Sequence, residues 1–429
     1  MWRHMGVYPH GMLAGVSRAG RPVNATHRSR PAAGAAALAA ALIATACTTV
    51  VDGSADRSPG GPAPGTVDVS LLDTGNYPTR PAPPLGTAGT AERGGLVEGV
   101  RMAEHVVGPW EVDTAFIQAA RPTTVYKDPA ALRQLLLPQD AAAAGKHNFV
   151  TGFSSARRTE PDRMSLVNAV LRFADPPSAA AAATELGELS LQPNDALPTA
   201  QPVPVPNHPA TRASTFETTP PGSAAPETTV NAYTAHGPFV LIQSADTPDG
   251  VGPAVDIIAR TLDQQIPAID AFVPTPVAEL ADLAVDDSGL LARTIPHTGD
   301  EIPADANLVY GPHAALHFQA SPLTSAQLFT DTGMDLWARG KASVYQVRDG
   351  EAAVTMFEQF VSESQDSGGK LVASVPNMPD SRCIQHEETL GTYVVCFAVV
   401  DRYVIEAGSV QIADVHQLSA AQYAMLMAS

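Results

Sequence analysis

A chain of 429 residues, 45% of them apolar, is long enough to bury two cores. Its net charge is −18; the first 46 residues hold five Arg and no acid, so the remainder sits near −23, which excludes an electrostatic grip on nucleic acid or on anionic lipid headgroups. Three cysteines with neither a C-x-x-C nor a zinc-type Cys/His spacing exclude a thioredoxin-like redox motif and a zinc module.

In chain order, residues 31–46 form an Ala-rich apolar run behind Arg28 and Arg30. The run is too short to span a bilayer and closes on small residues, as a secretory signal does. Cys47 directly follows Ala44-Thr45-Ala46. This resembles a bacterial lipobox, in which the thiol takes a diacylglycerol and becomes the new N-terminus, although Ala44 stands where Leu is usual. Ordinary cleavage leaving a free Cys47 is the alternative. Residues 48–65 are rich in Ser, Pro and Gly and read as a flexible stalk. The long stretch before Arg28 points to translation starting at a later methionine, such as Met5 or Met12. The expected division is a signal peptide over 1–46, a lipid-anchored stalk over 47–66, an N-terminal α+β domain over 67–275 and a C-terminal α+β domain over 276–429.

Beyond the stalk, alternation predicts a strand over Val67–Leu72, and Asp73 to Pro78 turns it. Helical spacing follows over Glu92–Val106 and Ala130–Leu137, then a strand region from Asn148. A repeated order comes next. Met164–Phe173 reads as a strand, Pro177–Leu191 as a helix, Thr228–Ala235 with Phe239–Ser244 as a hairpin, and Val251–Ile266 as a helix with Val255, Ile258 and Leu262 on one face. Later, Ala342–Val347, Glu351–Ser362, the hairpin Thr392–Val400 with Tyr403–Ala407, and Ile412–Met427 repeat it. The order β-α-β-β-α in both halves predicts an antiparallel sheet packed by helices in each and an internal duplication, with Gly237-Pro238 and Asp401-Arg402 in matching turns. Pro193–Pro226 reads as a Pro/Thr-rich surface loop. With Cys47 lipidated, Cys383 and Cys396 remain as an even pair on neighbouring strands, and a structural disulfide is expected between them.

The leader with its lipobox, the stretch Leu71-Leu72-Asp73-Thr74-Gly75-Asn76-Tyr77-Pro78-Thr79, the doubled α+β unit and the late cysteine pair together resemble an uncharacterised family of actinobacterial (mycobacterial/nocardial-type) surface lipoproteins. The resemblance covers the mature chain. It implies an envelope protein with two distinct domains and confers no catalytic residues.

Three constellations invite chemistry. Asp73-Thr74-Gly75 and Asp331-Thr332-Gly333 have the triplet of aspartic proteases, in which two carboxylates share a proton. The second triplet ends a predicted helix, however, and α+β halves do not build an all-β bilobe. His313 and His317, four apart, would share a helix face as zinc ligands do, but Ala314 replaces the Glu of H-E-x-x-H. On a strand their rings would lie about 13 Å apart. Gly152-Phe153-Ser154-Ser155-Ala156 lacks the last glycine of a nucleophile elbow. Trp110, Tyr126, Trp337 and Tyr345 either fill the core or line a groove, with the core favoured.

The sequence therefore predicts a lipoprotein on the outer face of the cell membrane. Its expected role is non-catalytic binding of a small apolar ligand, an envelope polymer or a partner protein, with no cofactor and no nucleic acid. An envelope hydrolase with an unrecognised site and a purely structural surface protein are the alternatives.

Overall fold

Strand-forming runs of Val, Ile, Ala and Tyr alternate with Ala- and Leu-rich helical stretches, and this pattern produces two antiparallel sheets with helices on their faces. A computed structural model describes residues 67–193, 197–219, 225–299, 302–388 and 391–428. The leader, Cys47 and the stalk lie outside the described residues.

The first half contains α1 (Ala91–Ala103), α2 (Pro109–Val112), β1 (Phe116–Ala119), β2 (Thr124–Tyr126), α3 (Pro138–Lys146), β3 (Phe149–Thr159), β4 (Ser165–Phe173), α4 (Pro176–Leu189), β5 (Gln201–Pro202), β6 (Arg212–Thr218), β7 (Glu227–His236), β8 (Phe239–Thr247) and α5 (Val251–Asp270). The second contains β9 (Leu308–Tyr310), α6 (Pro312–Leu316), α7 (Pro322–Thr332), β10 (Leu336–Arg339), β11 (Ala342–Gln346), α8 (Gly350–Asp366), β12 (Lys370–Val372), β13 (Arg382–Glu388), β14 (Gly391–Val400), β15 (Tyr403–Ser409) and α9 (Ile412–Met427).

The strand orders are β1-β3-β4-β8-β7-β6-β5, with β2 beside β3, and β9-β10-β11-β15-β14-β13-β12. Read from the edges formed by β1 and β9, they are the same path. In each, a helix (α4 or α8) leaves the third strand of that path for the far edge. Another (α5 or α9) follows the hairpin. The two hairpin turns match in conformation, with Gly237 at φ +53° and Asp401 at φ +51°. A second matching device lies just before β6 and β13: Val205-Pro206-Asn207-His208-Pro209 and Val375-Pro376-Asn377-Met378-Pro379, each with its Asn at φ +63°. Asn tolerates this left-handed conformation better than other L residues with a Cβ. The topology thus carries the duplication that the element order predicts, with more strands than expected.

Several expectations change. Val67–Leu72 is not a strand: Val69–Leu71 is a 3₁₀ turn capped by Asp68. The predicted helix over Ala130–Leu137 shrinks to a 3₁₀ turn, and the helix there is α3, opened by Pro138. The 193–226 stretch is not one loop, since it contains β5 and β6.

Residues 67–85 pack against the second half. Tyr77 Oη donates to Asp414 Oδ1 of α9 at 2.6 Å, Gln417 Nε2 to Asp73 Oδ2 at 2.9 Å, and Asn377 Nδ2 to the Leu71 carbonyl at 2.7 Å. Val67, Leu72, Tyr77 and Leu85 join the core between the second sheet and α9. A separate core lies between the first sheet and α3/α4. The largest is continuous from Phe153 and Val170 of the first sheet through Phe318 to Trp337 and Tyr345 of the second.

The join after α5 is fixed by charge. Glu98 of α1 is fully buried and pairs with buried Arg172 of β4; it also accepts from Thr275 N at 2.8 Å and Arg101 Nη1 at 2.5 Å.

Candidate functional site

Helical spacing and a fully packed sheet face decide what each sequence-derived group can do. The cysteines are joined: Cys383 and Cys396 are directly paired in register on β13 and β14, with Cα atoms 4.0 Å apart, and both are fully buried. Folding also brings in His416 of α9, whose ring nitrogen and the two sulfurs lie within 4.8 Å of one another. Sequence spacing gives no sign of this approach, and the sulfurs are committed to the disulfide.

The two Asp-Thr-Gly triplets stay apart. Asp73 accepts from Gly75 N and from Gln417 of α9. Asp331 ends α7, where Gln327 donates to it and Gly333, at φ +58°, caps the helix. α9 packs on one face of the second sheet and α7 on the other, so the sheet separates the two carboxylates. No shared-proton dyad forms. Ser154 lies inside β3, buried, with Tyr126 Oη at 2.8 Å, and is no exposed nucleophile. Trp110, Tyr126, Trp337 and Tyr345 are all core, none more than 3% exposed.

His313 and His317 lie on the single turn of α6, which puts their rings 5.3 Å apart. They sit at the seam between the halves. Glu104, just past α1, accepts from the backbone N–H groups of His313 and Ala314 and so caps α6 from the other half. Gly311 permits this approach, because a Cβ there would meet Glu104 Oε1 at 2.4 Å. His313 Nε2 lies 3.0 Å from Glu111 Oε2. Burial opposes protonation of His313, but the Glu111 hydrogen bond and the charges of Glu111 and Glu104 hold it above its ordinary value. His317 is packed between Trp110 and Phe153, each at 5.0 Å. Burial, with His313 and Arg157 beside it, pushes its imidazole well below the ordinary value. Arg157 of β3 closes the seam by donating to the carbonyls of His317 and Gln319 at 3.0 and 2.6 Å. Glu104, Glu111 and Arg157 thus hold the two halves together here, while both ring nitrogens of His317 are buried without a hydrogen-bond partner.

The sequence did not point to Glu406 on the second sheet. Arg339, Ser343, Glu406 and Phe397 are cross-strand neighbours in one row over β10, β11, β15 and β14. Alternation puts them on the face that α8 covers. The next row, Tyr310, Trp337, Tyr345 and Val404, is sealed. Trp337 stacks on Tyr345 with 5.7 Å between centroids and 16° between planes. Yet Ser343, Glu406, Gly408 and Tyr393 keep partial exposure amid buried Tyr345, Phe397 and Arg339. The small residues Ser343 and Gly408 flank Glu406, and all three keep partial exposure. Gly408 admits the Tyr393 hydroxyl, which a Cβ there would overlap.

Tyr345 Oη donates to Glu406 Oε2 at 3.2 Å. Surrounding protein drives the Glu406 carboxyl up to about 7, against the opposing pull of that hydroxyl and of Arg339. Arg339 pairs with Asp305 and lies over the rings of Phe318 and Trp337. No motif marks Glu406. It stands as one acid in a strand whose other residues are uncharged, and that contrast is the signal available.

The duplication supplies an internal control. Counting from the matched hairpin turns, Ile242 occupies the place of Glu406, Tyr233 that of Phe397 and Ala169 that of Ser343. All three are buried beneath α4 and α3. The first copy seals what the second leaves open.

Residues 85–285 match the N-terminal domain of unknown function DUF7373, and residues 290–429 match the C-terminal domain of the same family. No curated protein matches the chain. Among solved structures, the extracellular domain of PknH from Mycobacterium tuberculosis is similar at 13% identity over 39% of this chain and 95% of that one. Its TM-score of 0.28 is too low to define the fold.

Proposed function

The chain belongs to the two-domain DUF7373 family, and we propose that it is an exported, lipid-anchored envelope protein, of the actinobacterial kind it resembles, whose role is non-covalent binding of a small ligand. The export reading is supported by the disulfide at Cys383 and Cys396, since such bonds persist in oxidising compartments. The anchor rests on the lipobox-like sequence ending at Cys47. Two acyl chains would give stable attachment where one is marginal.

The observation that carries the binding reading is Glu406, a partly exposed residue on the second sheet beside buried Tyr345 and Phe397, with Tyr345 donating to it. Ligand sites pair apolar walls with a few placed polar groups in this way. Of the groups the sequence offered for hydrolysis, Ser154, Asp73 and Asp331 are each held in separate structural hydrogen bonds and do not converge.

Two measurements test this. Fatty-acid labelling should mark the wild type and be lost in Cys47→Ala; label retained by the variant would remove the anchor. Ligand that co-purifies with the protein from its own membrane should be depleted by Ser343→Leu, which sets a bulky side chain directly across from Glu406.

A further inference from the structure

We propose that α6 is an acid-sensitive latch: protonation of His317 releases residues 311–320 from the first half of the chain while both sheets stay folded.

A buried ring without a hydrogen-bonding role carries this inference. His317 is 1% exposed, and neither of its ring nitrogens has a hydrogen-bond partner. Buried polar groups are nearly always paired, and an exception calls for a physical reason. Packing holds the ring in place: Trp110 of α2 and Phe153 of β3 meet it edge-on, each at 5.0 Å, and His313 meets it at 5.3 Å. A neutral imidazole tolerates such a site. An imidazolium there would carry two N–H donors with no acceptor in reach.

The charges around the ring also oppose a proton on it. The Arg157 guanidinium of β3 donates to the His317 carbonyl and lies over the Trp110 ring. His313 of α6 is a second cation, held in its charged form by Glu111 of α2 and by Glu104 just past α1. Those two carboxylates are engaged with the His313 ring and with the backbone N–H groups of α6. Beyond Phe318 stands Arg339 of β10, paired with Asp305. Burial and the neighbouring cations hold His317 well below its ordinary value.

The segment that carries the ring can leave without dismantling a sheet. α6 is a single turn of five residues, and no strand ladder passes through it. Its hydrogen-bonded ties to the first half run through Glu104, Glu111, Thr123 and Arg157. Release would bring His317 to water, where it takes a proton near 6.5, and would uncover Trp110 and Phe153.

A group depressed in the closed state favours closure above about 6.5 and opposes it as pH falls. The open-to-closed ratio therefore rises about tenfold per pH unit below that value. His313 is raised, so well below 6.5 it keeps its proton in both states and adds no slope.

The test is hydrogen–deuterium exchange on the full chain from pH 7.5 to 4.5, corrected for the intrinsic pH dependence of exchange. The amides of Ala315, His317, Phe318 and Gln319 donate within this turn. Their protection should fall about tenfold per pH unit below about 6.5, while the paired amides of β14 and β15 keep theirs. In His317→Phe, which fills the site without a group to protonate, protection of the turn should stay level. Wild-type protection that ignores pH, a parallel loss in β14 and β15, or an equal loss in His317→Phe would overturn the proposal. Should His317→Phe fail to fold, His317→Leu makes the same comparison, and the contrast between turn and sheet in the wild type decides by itself.

Discussion

Single residues show where the molecule spends charge on structure. Glu98 and Arg172 are both buried, and the pair holds Thr275 beside α1. Breaking such a pair strands a charge, at a cost of about 3–5 kcal/mol. Glu98→Ala should therefore lower the denaturant midpoint sharply, and a midpoint equal to wild type would deny the pair its role. The seam histidines give opposite pH signs. His313 is raised in the folded state, so its contribution is complete below the unfolded value near 6.5 and is lost as pH rises through the folded value. His317 is depressed, so its contribution is complete above about 6.5 and is lost as pH falls. Denaturation midpoints from pH 5 to 9 should show His313→Asn removing the alkaline-side loss while the acid-side loss remains. An unchanged alkaline limb would exclude the His313 to Glu111 contact as its source.

Elements were legible to the extent that their pattern was strong. α5, with Val255, Ile258 and Leu262 on one face, and α9 were predicted from their spacing, as were β4 and the hairpins β7-β8 and β14-β15. The short strands β1, β2, β9 and β10 were not, because three or four residues carry too little periodicity. Pro and Thr hid β5 and β6, since composition alone reads as a loop. The Val-Pro-Asn-x-Pro pairs were the clearest unread trace of duplication. At these turns, Asn207→Ala and Asn377→Ala should each cost about 1 kcal/mol through left-handed strain, while Gly at either position should be tolerated. Equal stability of the Ala and Gly variants would show that the turn conformation is not what the Asn supplies.

At the scale of the whole molecule, duplication explains the frame and divergence explains the site. Both copies share one strand path, and residues 67–85 cover the α9 face of the second copy, with Glu406 on the opposite face. Candidate chemistry read from sequence spacing fell on seams and caps, because an Asp-Thr-Gly triplet or a His pair reports local geometry and not what converges in space. Glu406 was invisible for the same reason: Arg339, Ser343 and Phe397 reach it from three other strands. The central claim, that the second copy holds a small molecule beside Glu406, is tested most directly by native mass spectrometry of the protein purified from its own membrane. The account predicts a bound mass on the wild type that is lost in Ser343→Leu and retained in the matching first-copy variant Ala169→Ser. A wild type free of any adduct, or an adduct unchanged in Ser343→Leu, would contradict it.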